Sequence, residues 1–144
     1  MKKLFKGLLI LLFLVLLSGC KKDFKEITYS TFMETLRNEK GYLVNTYTPI
    51  YDSNIEKSIS ASNENSQFLF FVFGTKEQAK NYVEKNYKDF KGYKFKDYGD
   101  YIEVKSTKDG YFYLIQINKT VIRGRSDFKS SKKEIKRIFK KLGY

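Results

Sequence analysis

Two seven-residue stretches, Gln67–Phe73 (QFLFFVF) and Tyr111–Ile117 (YFYLIQI), constrain the fold of this 144-residue chain more than any other feature. A strand sends alternate side chains to opposite faces, so one that is apolar at nearly every position keeps no face for water. Such strands belong in the middle of a sheet, covered on both sides or buried at a dimer contact. Both have neighbours of the right kind. Asp109-Gly110 is a hairpin signal joining Tyr111–Ile117 to Asp100–Ser106, where Ile102 and Val104 flank Glu103 in clean alternation. Asn63-Glu64-Asn65-Ser66 reads as a turn between Ile55–Ser62 and Gln67–Phe73. Tyr42–Thr48 and Thr120–Arg123 complete the strand candidates, and the only proline, Pro49, lies in a turn region after the first of them.

Three helices are predicted around these strands. In Thr31–Lys40, Thr31 and Glu34 have capping-box spacing and Phe32 and Leu36 are one turn apart. In Thr75–Phe90, Thr75 and Gln78 form the box, with Ala79, Tyr82, Val83, Tyr87 and Phe90 at spacings of three and four. The last, Ser131–Leu142, pairs Ser131 with Glu134 and carries the stripe Ile135, Ile138, Phe139, Leu142. A Gly-Tyr pair follows each helix: Gly41-Tyr42, Gly92-Tyr93 and Gly143-Tyr144. That order suits a left-handed glycine followed by an apolar residue folding back on the last turn. The expected class is α+β, an antiparallel sheet covered by three helices in the order helix-strands-helix-strands-helix. Strand-turn-strand-helix occurs at both Ile55–Phe90 and Asp100–Leu142, which raises an internal duplication.

The N-terminus has a different character. Lys2, Lys3 and Lys6 precede ten uninterrupted apolar residues, Leu8–Leu17. That run is too short for a membrane-spanning helix, which needs about 20 residues, and it ends in small residues, as a secretory signal does. Leu17-Ser18-Gly19-Cys20 resembles the lipobox of bacterial lipoproteins. The resemblance implies a diacylglycerol on the Cys20 thiol and cleavage between Gly19 and Cys20. The expected organisation is a signal peptide at 1–19, a short tether at 20–27 and a single α+β domain at 28–144, held on the extracytoplasmic face of the cell membrane. The segments ITYSTFMETLRNEKGYLV, QINKTVI and EIKRIFKKLGY, together with the central helix and its Ala79, resemble an uncharacterised group of small lipoproteins of low-GC Gram-positive bacteria. That resemblance carries no activity with it.

Charge and composition narrow the chemistry. From Lys119 to Tyr144 there are ten Lys/Arg and two acids, which holds most of the positive charge that would remain after cleavage. Lys, Phe, Ile, Asn and Tyr make 68 of the 144 residues, a set favoured by AT-rich codons. There is no His, and Cys20 is the only cysteine. Lipidation of that thiol would remove the commonest general base, zinc ligands and thiolate nucleophile together. No Gly-rich phosphate loop or nucleophile elbow occurs. The acids Glu103, Asp109, Asp97 and Asp100 sit in turns or on polar strand faces. The chain is therefore expected to be non-enzymatic and to need no cofactor.

Two kinds of contact surface remain. Lys132, Lys133, Lys136, Arg137, Lys140 and Lys141 occupy the arc of the last helix opposite its apolar stripe. They form either an anion-binding face for lipid headgroups or wall polymers, or a solvated helix face in a lysine-rich chain. The stretch Tyr93–Tyr113 could instead supply a tyrosine-rich face for a protein partner, since Tyr is rigid, apolar and polar-tipped. Nucleic acid is a poor fit, because single-strand binding wants exposed aromatics among the charges. Here the aromatics follow strand and helix-core positions.

Overall fold

A computed structural model describes residues 23–49 and 52–144. The expected signal peptide, the expected Gly19–Cys20 cleavage site and the start of the expected tether lie outside the described residues. Among those described, seven strands form one antiparallel sheet: β1 (Leu43–Tyr47), β2 (Ile55–Ser62), β3 (Gln67–Phe73), β4 (Lys94–Asp97), β5 (Tyr101–Ser106), β6 (Tyr111–Ile117) and β7 (Thr120–Ser126). Their order across the sheet is β1-β2-β3-β7-β6-β5-β4. The doubly apolar β3 and β6 flank β7 at the centre, with Phe70 opposite Ile122 and Ile122 opposite Ile115.

Alternation along these strands divides the interior into two cores. One face carries Phe68, Phe70, Tyr113, Ile115 and Ile122 and is covered by α1 (Tyr29–Arg37) and α3 (Lys132–Lys141). The other carries Leu69, Phe71, Phe73, Phe112, Leu114 and Val121 and is covered by α2 (Lys76–Tyr87) through Ala79 and Val83. Both faces of the central strands are therefore buried within one chain. The helix α2 connects β3 to β4 at the far edge, crossing β7, β6 and β5 on the way.

Apart from the edge strand β4, the sheet consists of two three-strand meanders, each followed by a helix: β1–β3 then α2, and β5–β7 then α3. The antiparallel β3–β7 contact relates the strands of the two halves. The helices go to opposite faces, so that relation stops at the sheet.

Several elements depart from expectation for physical reasons. The first helix starts at Tyr29, because Thr28 is its cap, its hydroxyl accepting from the Thr31 amide at 3.1 Å. The Thr75–Gln78 box forms. The Ser131–Glu134 box does not. A 3-10 turn at Lys129–Ser131 runs directly into α3, Ser131 makes no capping bond, and Glu134 is engaged elsewhere. The edge strand β4 (KFKD) was not expected, since Phe95 is its only apolar residue. Gly41, Gly92 and Gly143 all have positive φ, as the Gly-Tyr pairs require. At the last pair, Tyr144 N–H bonds to Phe139 O at 2.8 Å and Gly143 N–H to Lys140 O at 3.1 Å, closing α3 with a Schellman-type motif.

The start of the domain lies earlier than Thr28. Phe24 packs edge-on against Tyr101 and Tyr144 with ring centroids 4.8 and 5.3 Å apart, and Ile27 joins the same core. Glu26 accepts a hydrogen bond from Asn118 at 2.7 Å. Only Lys21, Lys22 and Asp23 separate Cys20 from the first packed side chain. The described residues supply both cores, so a domain beginning at Lys21 contains what folding needs.

Gly124 on β7 lets α3 settle on the sheet. A Cβ there would lie 2.8 to 2.9 Å from Phe139, Ile135 and Phe68. Gly124→Ala is expected to cost about 1–3 kcal/mol through overpacking. Phe70→Ala and Leu114→Ala, which empty space in opposite cores, should each cost about 2–5 kcal/mol. Denaturant unfolding of the domain from Lys21 measures all three, and losses below about 1 kcal/mol at both large residues would contradict this core.

Candidate functional site

The stripe Ile135, Ile138, Phe139 and Leu142 of the last helix is buried, and all six basic residues are exposed. With 3.6 residues per turn they divide into three groups. Lys133 and Lys140 point away from the stripe. Arg137 and Lys141 lean toward the end of α1. Lys132 and Lys136 lean the other way, toward β5 and β4.

The α1 side is partly neutralised, with one carboxylate shared by two cations. Glu39 accepts two hydrogen bonds from the Arg137 guanidinium, at 3.1 and 2.7 Å, and another from Lys141. Its side chain is only 9% exposed while its partners are about half exposed. The Arg137 and Lys141 bonds hold its carboxyl well below the usual range, at about 2. Glu134, one turn before Arg137 and Ile138, favours the Arg137 charge through space but spends its hydrogen bonds elsewhere. It accepts from the Tyr42 hydroxyl at 2.8 Å, Asn63 at 3.1 Å and the Ser66 hydroxyl at 3.4 Å, tying α3 to the residue before β1 and to the β2–β3 turn. Burial, then the bond to Glu134, pushes the Tyr42 phenol up.

The β4–β5 side keeps its charge. Lys132 and Lys136 line a hollow of about 220 Å³ together with Lys94, Lys105, Ser106, Thr107 and Tyr111. Lys132 Nζ lies 5.8 Å from the centre of the Tyr111 ring, and Lys105 Nζ lies 4.9 Å from that of Tyr113. Lys105 also meets Glu103 at 2.7 Å. No acid pairs with Lys94, Lys132 or Lys136 among the described residues. This hollow was missed from sequence because the strand carrying Lys94 was missed, and without it Lys94 and Lys105 have no common face.

Most rings of the tyrosine-rich stretch are turned into the cores. Tyr101, Tyr111 and Tyr113 are buried on the α3 side of the sheet, and Tyr93 packs half-buried against Tyr87 and Phe112. Tyr98, 37% exposed, stacks on Tyr101 with centroids 4.6 Å apart. The more exposed aromatics are Phe90 at 64%, after α2, and Phe128 at 55%, before the 3-10 turn.

Two of the four acids noted in the sequence, Asp97 and Glu103, are held in structural bonds. Asp97 pairs with Lys80 at 2.8 Å and accepts from the Gly99 amide at 2.8 Å, both of which lower its carboxyl. Glu103 accepts from the Tyr113 hydroxyl at 2.8 Å. Burial, followed by this bond, raises the Tyr113 phenol. Among the described residues no three acids gather to hold a metal ion, and no helix is long and apolar enough to cross a membrane. Neither a family model nor a curated protein matches this chain.

The Glu39 cluster should be visible in acid. Its folded carboxyl sits at about 2 against an ordinary 4.5, so within that interval the unfolded chain takes up a proton that the folded chain refuses. Stability therefore falls as pH drops through the window from 4.5 toward 2. Glu39→Gln is expected to cost about 1–2 kcal/mol at neutral pH, allowing for half-exposed partners. It should also flatten the acid limb of the unfolding curve measured from pH 6 to pH 2. An unchanged limb would mean that the cluster adds nothing to stability.

Proposed function

We propose that this protein is a lipid-anchored extracytoplasmic module, without enzymatic activity, that lays the basic face of α3 against the anionic surface to which it is tethered. The observation that carries this reading is where the chain joins the domain. Phe24 packs against Tyr144, the residue that closes α3. A lipid on Cys20 would be four residues away, a reach of about 14 Å at roughly 3.5 Å per residue. Lys21 and Lys22 would lie at the headgroups, and Lys140 would be the nearest of the outward cations on the helix.

Each basic residue near an anionic surface adds about 1 kcal/mol, so a face of this size supplies orientation and weak adhesion while the lipid supplies residence. A tyrosine-rich protein contact is the weaker reading, because those rings are spent in the two cores. Membrane lipid or an anionic wall polymer would present the same negative surface.

Two experiments test the reading. Metabolic labelling with a fatty-acid probe should mark the wild type and not Cys20→Ser; equal label on both would end the anchor. The unlipidated domain from Lys21 should sediment weakly with vesicles containing anionic lipid at low salt and not with neutral vesicles. That binding should fall steeply toward physiological salt, where the Debye length is about 8 Å. Changing Lys133 and Lys140 to Gln should remove most of it with the fold intact, and undiminished binding would leave the face a solubilising surface.

A further inference from the structure

We propose that the hollow between the β4–β5 edge and the first turns of α3 binds a phosphate ester through Lys94, Lys105, Lys132 and Lys136. The inference extends the basic-face reading by naming a ligand class, but it rests on different residues and on the sheet as well as the helix.

Like charges are brought together there twice. Lys94 lies directly opposite Lys105 across the β4–β5 pairing, on the α3 side of the sheet. Like charges at directly opposed positions destabilise a strand pair. Lys132 and Lys136 are one helical turn apart, which is repulsive for the same reason. Both pairs open onto the same 220 Å³ hollow, and its lining contains no carboxylate. Among the described residues the one acid paired with any of the four is Glu103, against Lys105. Three positive charges are left over, where the α1 side of the same helix has Glu39 to hold its cations. An anion seated in the hollow relieves both repulsions at once.

The lining also selects among anions. Four ammonium groups on flexible stems are point-charge donors that can approach from several directions, which suits a tetrahedral group better than the planar fork of a carboxylate. Thr107, just beyond the end of β5, adds a hydroxyl at the rim. Tyr111 gives the hollow an apolar wall beneath Lys132. The volume is below the roughly 300–1,000 Å³ that enclose a drug-sized ligand. It therefore fits one phosphate and the carbon it is esterified to, the end of a larger molecule. A lipid headgroup and a soluble or polymeric glycerol phosphate both present that end.

The test uses the domain from Lys21, isotopically labelled and titrated at low salt with sn-glycerol 3-phosphate. Saturable shifts confined to residues around Lys94, Ser106, Thr107 and Lys132 are expected. Lys94→Gln combined with Lys132→Gln should weaken this binding at least tenfold, while Lys133→Gln with Lys140→Gln leaves it unchanged. Shifts spread evenly over all lysines, or equal affinity in the Lys94/Lys132 variant, would overturn the site. The same variants are sedimented with phosphatidylglycerol vesicles. Loss of both ester and vesicle binding in the Lys94/Lys132 variant supports the site with a lipid headgroup as source. Loss of ester binding alone supports it with a soluble or polymeric ester.

Discussion

The organisation of this domain depends on two strands, one on each side of β7, that are apolar on both faces. β3 and β6 are apolar on both sides, and β7 between them contributes Val121 to one core and Ile122 to the other. A sheet with such a centre needs cover above and below. Three helices in a chain of this length can supply it only if they are shared between the faces. Two go to one side and α2 crosses the other. The position of the basic face follows from that division, because α3 must turn Ile135, Ile138 and Phe139 inward and so turns its lysines out.

Most of this architecture was legible in the sequence, and what was not legible has a common cause. Strands and helices that bury a periodic apolar face declared themselves: β2, β3 and β6 fall on the expected residues. β4 did not, because an edge strand with one half-buried Phe95 needs only its backbone bonds to β5 and leaves almost no pattern. The α3 cap failed for a related reason. Glu134 had two uses, and the distant one, to Tyr42, Asn63 and Ser66, won over the local one. Spacing reveals what neighbouring residues can do for one another and is blind to an offer from 71 or 92 residues away.

The same blindness explains the candidate site. Six basic residues on one arc look alike in sequence, and the fold makes them unlike. Glu39, far from α3 in the chain, turns Arg137 and Lys141 into a structural clamp that fastens α1 to α3. On the opposite flank Lys132 and Lys136 meet two more lysines. Charge that seemed uniform along a helix is thus sorted by what each flank packs against.

The place of β7 has a consequence for how the molecule comes into being. Its partners on either side are β6, reached by a tight turn, and β3, about fifty residues earlier in the chain. The meanders β1–β3 and β4–β6 can form from local contacts, but each then carries an open edge and an uncovered apolar face. Long-range pairing of this kind is the slow step in folding, because the loop must close before its contacts reward it. Neither core is complete until residues beyond Thr120 arrive, since both draw on β7. A chain delivered N-terminus first would therefore stay unlocked for most of its length and set all at once when its last two dozen residues appear.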